Sequence, residues 1–423
     1  MAAVGTRLNS LPALTATTNV SDVSSLLRLS GTDNPLFFQR QGRGLAATGE
    51  VVRAEFSGTE RFIDAEAWWL ALCHRATDVD TVQRPGSGLA AFGAFTFADH
   101  SQQKSVLVVP ERIIGVDESG AFETRIALKN PSAESKESHP LGVSPPTAVY
   151  GWSAQSITEG DFLSLVELAK DRITSGALHK AVIARDLVRH LPQAFSPEGI
   201  VKRLSDAYPD TFVFLVDGLI GASPETLASV RGKNVQLRVL AGSAPRGVDG
   251  PDDLQRASSL ATSVKDLDEH RFAVENVLQT LQRHGITAVA DDVPFQLKLP
   301  NLWHLATDIR AVLPETTSSI RVIGALHPTA AVAGSPTDAA LDFINTHEDL
   351  DRGRYAGPVG WVDANGDGDW AIALRCGQID TENHTMTAYA GAGIVAESDA
   401  TTELLETELK FRPIIDAVNE ALL

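Results

Sequence analysis

Between Leu326 and Lys410, five segments carrying ligand-holding or reactive groups follow one another. They are LHPTAAVAG (326–334), RYAGPVGW (354–361), AIALR (371–375), AGAGIV (390–395) and ELLETELK (403–410). Together they offer Gly-lined backbone, an arginine closing an apolar run, and a helix with two carboxylates and a lysine on one side. Glu403, Glu406 and Lys410 stand at i, i+3 and i+7, so they project from one helix face. Asp266 and Glu269 stand at i and i+3 near the start of another helical run. Carboxylates in a first turn also answer the helix dipole, so each pair taken alone reads as a solvated face. Two such pairs, with Gly-rich backbone between them in sequence, are a donor set made only of oxygen. That set suits Mg2+, which keeps several waters and leaves a position for an anionic substrate oxygen.

Lys180 lies in HKAVIAR. On a strand it shares a face with Val182 and Ala184, while His179 and Arg185 point away. A lysine on an apolar face is either paired, snorkelling at a sheet edge, or lowered in pKa so that it serves as a base. Glu225, in GASPETL, follows a strand and a proline. It is a plain turn glutamate, or a carboxyl kept protonated as a proton donor. Arg375 is a structural ion-pair partner or a bidentate carboxylate clamp. Tyr355, His304 and the backbone of Gly391 and Gly393 could complete the same pocket.

The elements that must position these groups mix two periodicities. Strand-like alternation recurs in LHKAVIARDLV (178–188), TFVFLVDG (211–218), VQLRVLAG (235–242) and WAIALRCGQI (370–379). Helical spacing marks Ala65–Cys73, Glu159–Ser175, 266–285 and 401–423. Trp68 and Trp69 in the first of these read as core residues. The Pro- and Ser-rich stretch Lys129–Pro146 reads as an exposed loop or linker. Strand hairpins interleaved with a few helices predict an α+β protein on large antiparallel sheets. DANGDGD (363–369) begins like a calcium loop, but its twelfth position is Leu374, so a hairpin turn is the better reading.

The chain of 423 residues is 43% hydrophobic and can bury a large core. Its formal net charge of −18 argues against nucleic acid or an anionic membrane as partner. The two cysteines, Cys73 and Cys376, give neither a disulfide framework nor zinc spacing. No apolar run of about 18 residues and no secretory signal is evident, so a cytoplasmic location is expected.

Taken in order, HKAVIAR, SPETL, VLAGSAPRG, KDLDEH, NLWHLATDI, LHPTAAVAGSP, YAGPVGW, IALR, AGAGIV and ELLETELK resemble the chorismate-utilising enzymes. That family includes isochorismate synthases, salicylate synthases and the large subunits of anthranilate and aminodeoxychorismate synthases. The resemblance covers roughly residues 150–423. It implies a large two-sheet antiparallel β core flanked by helices, with 1–148 a variable subdomain contributing to the same sheets and 149–423 the chorismate-binding catalytic region.

The resemblance also implies roles. Mg2+ would be held by Glu269 and Glu406, with Asp266 and Glu403 direct or through water. Glu225 matches the general acid that protonates the departing C4 hydroxyl, and Lys180 the base that activates water for addition at C2. Tyr355 and Arg375 would grip the enolpyruvyl carboxylate. Gly242, Ser243, His304, Ala331, Gly391, Gly393 and Lys410 would line the substrate site. Lys180, together with Ala241 where aminodeoxychorismate synthases resemble a lysine-bearing segment, favours water over ammonia, without a glutaminase partner. Ala331 in the LHPT segment resembles the isochorismate-releasing members, of menaquinone or siderophore type, rather than the salicylate makers. Ser243 replaces a usual threonine, and Ala333 a frequent glycine. The expectation is a monomeric, Mg2+-dependent isochorismate synthase, an isomerase. A salicylate synthase, an anthranilate-type enzyme and a metal- or anion-binding protein without turnover are the rivals.

Overall fold

A computed structural model describes residues 11–21, 26, 34–129, 151–192, 195–298, 302–314 and 317–422. The expected linker Lys129–Pro146 falls outside these residues beyond Lys129. Among the described residues the strands form one sheet of 13 and one of 10, nearly all antiparallel. This is the α+β architecture with helices on the sheets. The chain divides into two compact units.

The first unit comprises residues 1–225, 327–364 and 371–423. It contains the whole larger sheet, in the order Ser153–Ala154, Lys180–His190, Thr385–Ile394, Cys376–Asp380, Leu219–Ser223, Phe212–Val216, Leu36–Arg40, Arg43–Thr48, Arg112–Asp117, Gly120–Leu128, Leu14–Ser21 and Thr77–Asp80. The short strand Gly334–Ser335 pairs with the start of Lys180–His190. The unit also holds the antiparallel set Pro358–Asp363, Ala90–Ala94, Ser105–Val109 and Val52–Phe56.

Lys180–His190 and Thr385–Ile394 pair antiparallel from Ala181 to His190. The helices Glu198–Ala207 and Ala400–Ala421 cover one stretch of this pair, closing a core that includes Leu187, Leu204, Ala388, Phe411 and Ile414. Glu159–Thr174 and Thr337–His347 close a second core on Phe162, Val166, Ile183, Phe343 and Ile394. Each fully buried side chain of this kind contributes about 1.5–3 kcal/mol, which is what holds the strands in register. Helix Glu159–Thr174 starts in a capping box of Thr158 with Asp161. Helix Ala400–Ala421 starts on Asp399, whose carboxylate accepts from Thr402 N–H at 2.9 Å. Trp68 and Trp69 are buried in helix Arg61–Arg75, as expected of core residues.

One expected strand is two. The run 370–379 splits into Gly368–Ile372 and Cys376–Asp380, which belong to different sheets. Between them Ala373 exchanges hydrogen bonds with Ala356 and Gly357, and Arg375 takes φ +50. Alternation had suggested a continuous strand, but Trp370 through Ala373 are all buried. A corner between sheets buries both faces and erases the period.

The second unit comprises 226–326 and 365–370. Its strands Ala288–Ala290, Leu302–Val312, Asn234–Pro245 and Thr226–Arg231 lie side by side, with Phe295–Lys298 also on Leu302–Val312. Helices Gly250–Thr262 and Val264–Arg283 pack on Asn234–Pro245, around Ala257, Leu260, Trp303 and Leu305. The turn at 364–367 links Pro358–Asp363 to Gly368–Ile372. The strands it joins lie side by side, as the hairpin reading of DANGDGD expected, and Asp367 in the turn accepts from the backbone N–H of Gly232 and of Lys233.

Candidate active site

In the first unit, two glycines clear a surface on the strand Thr385–Ile394. Val182 faces Gly393 and Ala184 faces Gly391 across the pair. A Cβ on Gly393 would come within 2.8 Å of Lys180 Cε and 3.4 Å of its Nζ. A Cβ on Gly391 would stand 2.9 Å from the Tyr355 hydroxyl and from the Ile183 carbonyl. Lys180 and Tyr355 therefore lie over the same strand, because neither glycine has a side chain. Tyr355 is buried and stacked on Tyr389, with ring centroids 5.4 Å apart and planes at 11°. Burial pushes its hydroxyl pKa up, so the phenol remains a neutral hydrogen-bond donor.

Lys410 reaches this surface from helix Ala400–Ala421. Its Nζ donates to the Gly391 carbonyl at 2.8 Å and pairs with Glu406. Glu403, one turn earlier, accepts from Ser398 Oγ at 2.7 Å. Burial raises the Glu403 pKa; the Ser398 hydrogen bond opposes this and the neighbouring Glu406 charge adds to it.

Glu225 sits half-buried between Leu219–Ser223 and Thr226–Arg231. Its backbone is fixed at both ends: its N–H donates to Ser223 Oγ at 3.2 Å, and its carbonyl accepts from Ile372 N–H at 3.1 Å. Burial raises the carboxyl pKa against the pull of Lys180, Arg375 and Lys410, in that order. Arg375 is itself lowered by burial, opposed by Tyr355, Glu406 and Glu225. Its backbone is left-handed, at the corner between the two sheets, and its charge interacts with Tyr355, Glu406 and Glu225. Lys180, Glu225, Tyr355, Arg375, Gly391, Gly393, Glu406 and Lys410 thus share one neighbourhood. Ala331 is placed differently: it is exposed in a turn whose ends are tied by Val332 and Ala333 N–H to Thr329 O.

In the second unit, the strand Asn234–Pro245 carries a bulge between Ala241 and Ser243. Gly242 takes φ +76 there, and a Cβ on it would press on Asp266 and Leu305 at 3.3 Å. His304 donates from Nδ1 to the Gly242 carbonyl at 3.4 Å. Asp266 lies in the first turn of Val264–Arg283, where its N–H is capped by Ser263 Oγ. Glu269 is on the same helix and Ser243 on the bulged strand; their side chains lie outside the described residues. His270 was not singled out in the sequence. It is buried, bonded to the Ala241 carbonyl at 3.0 Å and to Thr307 Oγ1 at 2.7 Å, and so fixes the helix against the bulge. Its signal was its place one turn after Asp266. Among the described residues no group of three His, Cys, Asp or Glu is gathered as metal ligands. Within the first unit the adjacent carboxylates Glu403 and Glu406, one with a raised pKa and the other paired with a lysine, are a donor pair fit for a hard cation.

A family model described as chorismate binding enzyme matches residues 7–419. The chain belongs to that family. The isochorismate synthase DhbC of Bacillus subtilis is 36% identical over 270 residues, spanning 61% of this chain and 67% of that protein. The solved structure of DhbC from Bacillus anthracis, 30% identical, covers 93% of this chain and 98% of its own with a TM-score of 0.68. MenF, the menaquinone-specific isochorismate synthase from Escherichia coli, shares the fold at 22% identity, with a TM-score of 0.72 over 96% and 95% of the two chains. No helix of the described residues is long and apolar enough to cross a membrane.

Proposed function

We propose that the protein converts chorismate to isochorismate, an isomerisation by exchange of a hydroxyl with water. The observation that carries this reading is the charge pattern around Glu225: a carboxyl with a raised pKa, facing Lys180, Arg375 and Lys410. Arg375 and the neutral Tyr355 hydroxyl grip the enolpyruvyl carboxylate. Lys180 takes a proton from a water that adds at C2. The ring double bonds shift, and the C4 hydroxyl leaves as water with the proton that Glu225 supplies. Gly391 and Gly393 leave room for the ring against backbone, and Lys410 adds positive charge beside it. Gly242, Ser243, His304 and Ala331 are assigned to the remaining walls of the substrate site.

Asp266, Glu269, Glu403 and Glu406 are assigned to Mg2+, an oxygen-only set that suits this ion. When bound, the ion would neutralise the ring carboxylate and polarise it. The region 1–148 is read as the variable subdomain and 149–423 as the catalytic region. A cytoplasmic monomer acting without a glutaminase subunit completes the proposal.

Incubation of the purified protein with chorismate and Mg2+, with products resolved by HPLC, tests the reading. Isochorismate as sole product, lost in EDTA, is the expected result. Salicylate with pyruvate would move the protein to a salicylate synthase. No turnover, with or without ammonium, would refute the enzymatic reading.

A further inference from the structure

The geometry points to Glu348 and Arg352 as a positioning pair that stands in for a missing strand beside Lys180 and ties together three segments of the catalytic surface. Their side chains are each 2% exposed and meet in a fork, Arg352 Nε to Glu348 Oε1 at 2.6 Å and Nη2 to Oε2 at 2.7 Å. Arg352 lies with its guanidinium carbon 4.5 Å from the centroid of the Phe97 ring.

The pair matters for where its remaining bonds go. On one edge of Lys180–His190 the short strand Gly334–Ser335 pairs with Lys180 and Ala181 only. Val182 N–H still reaches the Ala333 carbonyl at 2.9 Å, and then that neighbour departs. The next strand on this edge, Ser153–Ala154, pairs only at Leu187 and Val188. In the gap, Arg352 Nη2 donates to the Val182 carbonyl at 2.7 Å, and Glu348 Oε2 accepts from Ala184 N–H at 2.9 Å. Buried backbone groups left unbonded cost free energy, so the pair holds this edge straight just after Lys180. Arg352 Nη1 also donates to the Val332 carbonyl at 3.0 Å, next to Ala331. Its own carbonyl accepts Tyr355 N–H at 2.9 Å. One ion pair therefore sets the Lys180 strand, the turn bearing Ala331 and the turn bearing Tyr355 relative to each other. It touches no substrate in this reading and acts through those residues.

The inference rests on the roles proposed above for Lys180 and Tyr355. Its test uses the full chain with Arg352→Lys, which keeps the charge but loses the fork, and Glu348→Gln, an isostere that keeps an oxygen for Ala184. Expected is a kcat lower by about 10- to 100-fold with KM for chorismate within about threefold, since the reacting groups move while the substrate contacts remain. Hydrogen exchange at Ala184 should accelerate, because in each variant its acceptor oxygen is no longer held by the fork, while Phe212–Val216 in the same sheet keeps its protection. Unchanged kcat in both variants would overturn the inference. So would a raised KM at unchanged kcat, or equal loss of protection in both strands, which marks general loosening. If the parent protein does not turn over chorismate, the proposed function fails, and the exchange pattern alone decides whether the pair holds the strand.

Discussion

The Lys180 side chain lies over Gly393, which pairs with Val182, its Cε 2.8 Å and its Nζ 3.4 Å from where a Cβ on that glycine would be. Gly393 is two residues beyond Gly391 on the same strand, where Tyr355 and Lys410 converge. The glycines are thus spaces that the Lys180 and Tyr355 side chains fill, while Lys410 holds the Gly391 carbonyl.

Gly393→Ala separates stability from chemistry. The only atoms its methyl meets are at the far end of a flexible lysine, and the backbone φ is not in the left-handed region. The free energy of unfolding should change by less than about 1 kcal/mol, or rise slightly through lost chain entropy. The displaced ammonium should lower kcat by about 10- to 100-fold. Gly391→Ala meets the Ile183 carbonyl instead, which cannot swing aside, so it should also cost about 1–3 kcal/mol in a denaturant titration. Equal activity of the parent and Gly393→Ala would remove Lys180 from the reaction.

Glu225 predicts the alkaline side of the pH profile. An acid catalyst works protonated, and burial raises this carboxyl's pKa against three cations. The rate should hold below the folded pKa and fall as pH rises through it. Lys410→Met removes one of the charges that lower the pKa, so the falling limb should move to higher pH even as the rate drops. Glu225→Gln should lower kcat by about 10²- to 10⁴-fold and abolish that limb. Profiles of kcat against pH for the three proteins check this; a limb that stays in place in Glu225→Gln belongs to another group.

What the sequence allowed to be read follows the range of the interactions. Lys180, Glu225 and the Glu403, Glu406, Lys410 face were legible because strand and helix periods act over a few residues. Lys180's strand proved buried on both sides, with Arg185 pointing away from Lys180 yet bound to Thr407 and Glu408 and lying over Phe411. The split of 370–379 was not legible, since both halves are equally apolar and the break comes from a sheet corner. Glu348 and Arg352 are four residues apart but lie past the last residue of helix Thr337–His347, Glu348 as its C-cap, so helical spacing gave no reason to pair them. Their meaning comes from Val182 and Ala184, about 165 residues earlier, which no local pattern connects.

The carboxylate assignment makes a prediction that needs no turnover. A ligand bound only by the folded chain stabilises it by about 2.7 kcal/mol at a hundredfold excess over its dissociation constant. Mg2+ should therefore raise the unfolding temperature and EDTA reverse it. Glu406→Gln should lose this response together with activity, since Glu406 would no longer offer a charged oxygen. Scanning calorimetry with and without Mg2+ reads both, and a Glu406→Gln protein that is still stabilised by Mg2+ and active in EDTA would exclude Glu406 as a ligand.

His327 sets an acid limit on the fold. Its Nε2 donates to the Phe97 carbonyl at 3.0 Å, which fixes the neutral tautomer, while Nδ1 is enclosed without a partner. The ring packs between Phe62 and Phe97, each centroid 5.8 Å away. Desolvation pushes its pKa down to about 3, with the Phe97 hydrogen bond opposing and the Arg61 charge adding to the fall. The unfolded chain, with a pKa near 6.5, binds this proton far more readily than the native one. Stability is therefore fully present above about pH 6.5 and is lost as pH falls toward the folded value, by at most about 4–5 kcal/mol. His327→Gln keeps a donor for the Phe97 carbonyl and has nothing to titrate. At neutral pH it should cost about 1 kcal/mol through poorer packing, yet lose less than the parent on acidification. Urea titrations at neutral and acidic pH should make the two stability curves converge or cross; parallel curves would show that other groups govern the acid side.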